Sequence, residues 1–209
     1  MDKTVISCRR SEDVKGQMTV RQYRSVDLFL FAAMLLVFES IIIFAATRWF
    51  SDAPYSVSVT AAVTAIVMIR WGPWAAIHAV LGGLIFCFES GGANWQYAVY
   101  CGGNLLAMLI LPVVKRPGAW KKVCSDPFKT VCFGLGTVLL MQLGRALLSL
   151  VFGLTVGEAL GFFTADVISL LFTALILWIV RRLDGILEDQ VHYLHRIAKE
   201  REEENKGGF

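Results

Sequence analysis

The sequence predicts an all-α polytopic membrane protein, a bundle of six transmembrane helices followed by a cytoplasmic amphipathic helix. Three observations predict this fold class. Of the 209 residues, 56% are hydrophobic and only 18% are charged, which is more apolar than a soluble domain. The apolar residues are gathered into runs close to the roughly 20 residues that cross a bilayer. Lysine and arginine are concentrated in the two tails and in every second connection between those runs, as the positive-inside rule describes.

The six predicted spans are separated by short polar or Gly-Pro breaks, and together they leave room for no sizeable soluble domain. The second span is the shortest, and serine and threonine dilute its apolar run. About 17 residues rise only ~25 Å through a hydrocarbon core of ~30 Å, so we expect this helix to pack inside the bundle. The predicted spans are residues 27–50, 53–69, 73–90, 95–114, 128–152 and 157–180.

These spans divide the chain into an N-terminal tail at 1–26, a bundle at 27–180 and a C-terminal region at 181–209. The C-terminal region is highly charged, but apolar residues recur in it at helical spacing, which predicts an amphipathic helix. This helix is either a solvated extension of the last span or a contact with a partner protein or the lipid surface. Its apolar face consists of Leu183, Ile186, Leu187, Val191, Leu194 and Ile197.

The distribution of basic residues predicts the orientation. Eighteen of the twenty lysines and arginines lie in the N-terminal tail, the 70–72 turn, the 115–129 loop or the region after 180, and the opposite loops hold none. Both termini are therefore expected in the cytoplasm, in a multi-pass protein of the cell membrane. Because the net charge of +3 is explained by this sorting, we expect no nucleic-acid partner.

No sequence feature indicates a cofactor or a metal site. The five cysteines include no C-x-x-C pair, and the phosphate-cradling pattern G-x-x-x-x-G-K-[ST] is missing from the sequence. We therefore expect no cofactor, no bound metal and no ATP hydrolysis by this chain itself.

Ionisable residues are rare within the predicted spans. A charged side chain at the centre of the bilayer costs about 2.5–3.5 kcal/mol even on lenient insertion scales, so such residues face the bundle interior and indicate function. Helical spacing places Gln142, Arg145 and Ser149 on one face of the fifth span, and it aligns Asp166 with Ser169 on the sixth.

If these faces converge, they form a partly polar cavity that opens outward, which is typical of a small-molecule site. The predicted substrate-binding residues are Glu39, Glu89, Trp95, Asn104, Gln142, Arg145 and Asp166, and no catalytic residue is predicted. In the alternative interpretation, Arg145 pairs with Asp166 or Glu39 only to neutralise charge inside the bundle.

Small residues at every fourth position predict close helix packing. One such stripe lies in the third span, at Ala75, Ala79, Gly83 and Cys87. A second stripe lies at the start of the sixth, at Gly153, Gly157, Gly161 and Ala165.

The stretch from Arg70 to Leu84, RWGPWAAIHAVLGGL, resembles the substrate-binding S component of energy-coupling factor importers. In that family a short Gly-Pro turn opens the third of six helices, and the resemblance extends over residues 27–180. It implies that a small vitamin-like metabolite is captured at the outer side. It also implies docking to a separate transmembrane coupling subunit driven by two ATPase subunits, with rotation of the whole bundle in the bilayer.

Two other functions are compatible with the sequence. A non-catalytic scaffold similar to the rod-shape membrane proteins of wall synthesis would also have few spans and short loops, and its buried polar residues would be structural. An intramembrane enzyme would require Glu39, His78 and Asp166 to act together, but their predicted depths differ and they match no known motif. The sequence therefore favours a protein that is not an enzyme.

The predicted topology is testable by labelling single cysteines in a background without the native ones. A cysteine replacing Gly92 should react with a membrane-impermeant thiol reagent from outside intact cells, and one replacing Ser125 should react only after the cytoplasmic side is exposed. The reverse pattern would contradict the orientation.

Overall fold

The computed structural model describes residues 19–49, 56–114 and 123–183, together with scattered residues between 186 and 203. In these residues every regular element is a helix and no strand occurs, as the fold class predicts. By length and composition alone, four continuous helical stretches could cross a membrane, and the crossing of all six predicted spans stays a prediction. The four stretches are Val20–Trp49, Thr60–Glu89, Pro127–Val151 and Val156–Val180.

The helical segments are labelled here in chain order. Segment α4, residues 94–114, is assembled from α-helical, π-helical and 3-10 turns. Segments α6 and α7 are the two halves of the sixth predicted span. The bounds are α1 Val20–Trp49, α2 Thr60–Trp71, α3 Ala75–Glu89, α4 94–114, α5 Pro127–Val151, α6 Val156–Ala165 and α7 Val167–Val180.

The stretch Thr60–Glu89 is folded back on itself at the predicted break. Gly72 has φ 62°, a left-handed conformation that favours glycine, and a single 3-10 turn Gly72–Trp74 follows it. A Cβ added to Gly82 in α3 would strike the side chain of Thr60 at the start of α2. Helices α2 and α3 are therefore antiparallel neighbours.

Helix α2 is the centre of the bundle. All of its twelve residues are buried, which confirms the predicted interior packing of the second span. It begins at Thr60 instead of 53 because 56–59 are not helical, and residues 53–55 lie outside the described residues. Twelve residues rise about 18 Å, so α2 alone is shorter than the hydrocarbon core.

Helix α1 lies at the edge of the bundle. Its buried residues are only Leu35, Glu39 and Ile43, which are spaced by four and so share one face. The helix begins seven residues before the predicted start, where Thr19 N–H donates to Gln22 Oε1 at 2.9 Å. An apolar run indicates where lipid begins, whereas a helix can continue beyond it.

Close backbone contacts hold the remaining segments together. A Cβ on Gly83 would lie 2.9 Å from backbone atoms of Tyr100 and Cys101 in α4, so the first small-residue stripe packs as predicted. Ala75 and Ala79 of the same stripe are fully buried. The second stripe does not pack: a Cβ on Gly161 would meet nothing within 4 Å.

Part of the C-terminal region folds against one end of the bundle. Arg70 Nη1 donates to the carbonyl of Ile186 at 2.8 Å, and Leu187 and Leu194 pack against the core beside Ile186. Many residues of the predicted amphipathic helix, including Val191, lie outside the described residues, so that helix stays a prediction.

The packing of α3 on α4 predicts different effects for two matched glycine variants. Gly83→Val should destabilise the protein by roughly 1–3 kcal/mol because the added methyls meet backbone that cannot rotate away. Gly161→Val faces open space and should change stability little. Thermal unfolding in detergent micelles measures both, and equal melting temperatures for the two variants would contradict the packing.

Candidate solute-binding site

Arg145 is held between two partners in the interior. Its Nη1 donates to Asp166 Oδ2 at 2.6 Å, and its Nε donates to Asn104 Oδ1 at 2.9 Å. Asn104 in turn donates from Nδ2 to the carbonyl of Ala79 at 2.9 Å. The arginine and the aspartate are each only 7% exposed. Together with Asn104 and the carbonyl of Ala79, they form a buried network that connects α3, α4, α5 and the α6–α7 junction.

Aromatic rings cover one side of this pair. The guanidinium carbon of Arg145 lies 4.9 Å from the ring centroid of Tyr100, within the range of a cation–π interaction. Tyr100 also contacts Phe86, with ring centroids 4.5 Å apart. The arginine therefore has an apolar wall on one side and hydrogen-bond acceptors on the other.

Glu39 is the second buried carboxylate of the cluster and is 1% exposed. Its Oε2 accepts from the backbone N–H of Val59 at 3.0 Å, and its Oε1 has no hydrogen-bond partner. The hydroxyls of Ser58 and Thr60 lie near the same carboxyl group. Arg145 also acts on this carboxyl group but is directly paired with Asp166, so Glu39 has no ion pair of its own within the described residues.

These side chains surround one small cavity in the end of the bundle that contains the start of α2 and the end of α3. Its volume is about 10 Å³, which holds about one water molecule. The wall is part polar and part aromatic, with serine and threonine hydroxyls beside the charged groups. It consists of Glu39, Ser56, Ser58, Thr60, Gly82, Gly83, Phe86, Tyr100, Arg145 and Asp166.

Three interruptions of regular helix meet at this cavity. Residues 56–59 before α2 are not helical, Tyr100 lies in a π-helical turn at Ala98–Gly102, and α6 ends where α7 begins, at Asp166. Within the hydrocarbon region, non-helical backbone is tolerated where it is buried in protein or lines a cavity. π-turns also occur frequently at functional sites.

The segment 56–59 is attached to the broken helix by hydrogen bonds. Ser56 N–H donates to the carbonyl of Ala165 at 2.9 Å, and its hydroxyl donates to Asp166. Ser58 N–H donates to Ser169 Oγ at 3.0 Å. The end of α6 and the start of α7 are thus bonded to the segment that lines the cavity.

The structure brings most of the sequence-predicted site residues together. Glu39, Arg145 and Asp166 line the cavity, and Asn104 contacts it through Arg145. Gln142 is fully buried one turn from Arg145, and neither end of its amide has a hydrogen-bond partner. It does not line the cavity.

Two predicted site residues lie elsewhere. Glu89 is exposed and accepts a hydrogen bond from Ser40. Trp95 is half-buried and contacts Phe152, with ring centroids 6.4 Å apart. The sequence predicts how far along a helix a residue lies, but not the direction in which its side chain faces.

Sequence reasoning missed the hydroxyl and aromatic wall. In the sequence, the hydroxyl residues only weaken the apolar run of the second predicted span, and in the structure they line the cavity: Ser56, Ser58 and Thr60. The available signal was that these polar residues come just before a helix predicted to be buried. Tyr100 and Phe86 resembled ordinary apolar residues. The signal near Tyr100 was the pair Gly102 and Gly103, small residues that let α4 approach α5.

A second polar cluster occupies the opposite end of the bundle. Asp27 accepts from Arg70 Nε at 2.8 Å and from Trp71 Nε1 at 2.6 Å. Nearby, His78 Nε2 lies 3.1 Å from the carbonyl of Leu28. Leu28 precedes Glu39 by three turns of α1, about 16 Å along the helix, so His78 does not join the cavity residues.

Comparison of the chain with known protein families, with characterised proteins and with solved structures finds no match. The described part of the chain also contains no group of three or more His, Cys, Asp or Glu side chains arranged to hold a metal ion. The features that define the molecule are an all-helical fold with membrane-length apolar helices and a buried, ion-paired polar cavity.

The pairing of Arg145 with Asp166 predicts strong coupling between the two residues. Arg145→Met or Asp166→Leu alone should each cost about 3–5 kcal/mol, because each leaves a buried charge without its partner. The double variant should lose much less than the sum, since no unpaired charge remains. Unfolding of the four proteins in one detergent gives the coupling free energy, and simple additivity would contradict a direct pair.

Proposed function

We propose that this chain is the membrane-embedded substrate-capture subunit of an ATP-driven importer of the energy-coupling factor type, and that its cavity binds a vitamin or similar small metabolite. The observation that carries the proposal is the convergence of Glu39, Arg145 and Asp166 with three helix interruptions on one cavity. Burial of ionisable groups and irregular backbone are both costly in a membrane, and their coincidence indicates a site for a solute.

The chemistry of the wall supports binding of an organic molecule. Ring faces of Tyr100 and Phe86 suit a planar apolar part, while carboxylate, guanidinium and hydroxyl groups suit a few polar atoms. A cavity of about 10 Å³ is far smaller than a metabolite, so capture requires movement of the wall. In this proposal the segment 56–59 moves, because it is held by individual hydrogen bonds to α1, to α7 and to the α6–α7 junction instead of by helical turns.

The direction of capture follows from the distribution of basic residues. The cavity lies at the end of the bundle opposite the cluster of Asp27, Arg70 and Trp71. Under the positive-inside rule the Arg70 end faces the cytoplasm, so the cavity faces outward in the cell membrane. Import from that side requires the proposed partners, a transmembrane coupling subunit and two ATPase subunits.

Docking to the proposed coupling subunit needs an exposed surface, and the Ala75 and Ala79 stripe offers none, because both alanines are fully buried inside the bundle. The exposed apolar face of α1 is available instead and includes Phe29, Leu36 and Phe44.

A structural scaffold similar to the rod-shape membrane proteins is the second candidate. The observation in its favour is that Arg145 and Asp166 already satisfy each other at 2.6 Å, as a purely structural pair would. The two functions differ in what the purified protein retains and in which proteins accompany it.

Metabolite retention tests the capture function. Protein purified in mild detergent should release a stoichiometric small molecule on denaturation, detected by mass spectrometry. Glu39→Gln and Ser56→Ala should reduce the retained amount at least tenfold, because each alters a cavity-lining group with little change in volume. Glu89→Gln, a carboxylate outside the cavity, is the matched control and should retain the wild-type amount.

Co-purification tests the partner assignment. The wild-type chain should bring down one further membrane protein and two nucleotide-binding subunits. Recovery of cell-wall synthesis proteins in their place, together with no retained metabolite, would support the scaffold and contradict capture.

A further inference from the structure

We propose that the cavity holds a dehydrated monovalent cation of the size of Na⁺, bound by Glu39 and the hydroxyl oxygens at the start of α2. The ion shares the cavity and Glu39 with the proposed metabolite site, but this inference does not rest on the transport function, because it uses only groups already in place around the existing cavity.

The charged groups of the cavity wall do not all have an ion-pair partner in the described part of the chain. The cavity wall contains two carboxylates and one guanidinium, and no other lysine, arginine or histidine in the described residues lines it. The guanidinium is bonded to Asp166 and to the neutral Asn104. Glu39 is 1% exposed and forms no ion pair within the described residues, and an ionised carboxylate in such a place is costly without a cation.

The cavity wall also contains carboxylate and hydroxyl oxygens that can coordinate a cation. Glu39 Oε1 and Thr60 Oγ1 are buried without a well-formed hydrogen bond. The hydroxyls of Thr60 and Ser58 lie against the carboxyl group of Glu39 in the cavity wall. Carboxylate and hydroxyl oxygens are the hard ligands that alkali and alkaline-earth cations prefer, whereas soft transition metals prefer sulfur or imidazole.

The volume of the cavity and the non-helical backbone beside it also suit a small ion. A volume of about 10 Å³ admits one water-sized sphere, which suits a bare monatomic ion and excludes an organic ammonium group. The site lies beside the non-helical residues 56–59, and membrane transporters coordinate Na⁺ at such unwound backbone. Arg145 in the same wall opposes a cation, but Asp166 at 2.6 Å offsets its charge, so a single positive charge at Glu39 makes the cavity neutral.

The test is thermal unfolding of the full chain in detergent micelles, at equal ionic strength in NaCl, KCl or choline chloride. Because a ligand that binds only the folded state stabilises it by mass action, the melting temperature of the wild type should be about 2–6 °C higher in NaCl than in choline chloride. KCl should have a smaller effect, because the larger K⁺ lies farther from a carboxylate oxygen and is attracted more weakly, and choline chloride should have none.

Variants assign the effect to the site. Glu39→Gln should abolish the Na⁺ response, and Thr60→Val should weaken the apparent affinity for Na⁺ at least tenfold. Glu89→Gln, which removes a carboxylate outside the cavity, should keep the wild-type response. Binding of radioactive ²²Na⁺ to the purified variants gives a second readout if a variant is too unstable for melting curves.

Several outcomes would overturn the site. Equal melting temperatures of the wild type in all three salts would mean that Glu39 is neutralised by a proton. Equal responses to Na⁺ and K⁺, or a Na⁺ response that survives Glu39→Gln, would show a salt effect unrelated to the cavity. None of these outcomes depends on whether a metabolite is retained, so failure here and failure of the capture function are separable.

Discussion

The fold depends on the burial of the Arg145–Asp166 pair among apolar helices. Each partner would be strongly unfavourable in hydrocarbon without the other, and their 2.6 Å contact fixes α5 against the α6–α7 junction. Asn104 extends the network to α4 and, through the carbonyl of Ala79, to α3. A buried ion pair adds little stability relative to apolar residues of the same shape, but it penalises arrangements that separate the partners. The pair therefore specifies which helices are neighbours.

Breaks in helical geometry are the second constraint on the site. Segment 56–59, the π-turn of α4 and the junction at Asp166 each leave backbone groups outside the usual ladder, and each lies at the cavity. In lipid such groups must find partners within the protein, as the Ser56 N–H does with the carbonyl of Ala165. The irregular backbone and the buried charges thus satisfy each other, so a polar site can exist inside an otherwise apolar bundle.

Much of the architecture was predictable because apolar runs and charge asymmetry are properties of single segments. The all-helical class, the break at Gly72 and the interior position of α2 all follow from local composition. The convergence of Glu39, Arg145 and Asp166 also followed, since the cost of each charge in lipid forces it inward. The exclusion of Glu89 and Trp95 could not be predicted, because side-chain direction depends on how helices rotate against one another. The choice of Asp166 over Glu39 as the partner of Arg145 depends on the same inter-helix geometry.

Helix α2 is short and fully buried, and each of its ends is fixed by polar contacts. At one end Thr60 and Ser58 border the cavity. At the other end Arg70 donates hydrogen bonds to Asp27 and to the carbonyl of Ile186, in the chain beyond α7. A rod of about 18 Å with no exposed residue cannot bend without disturbing the packing on every side. A displacement at the Thr60 end of α2 would therefore be transmitted along the helix to the Arg70 end, where the C-terminal chain is attached.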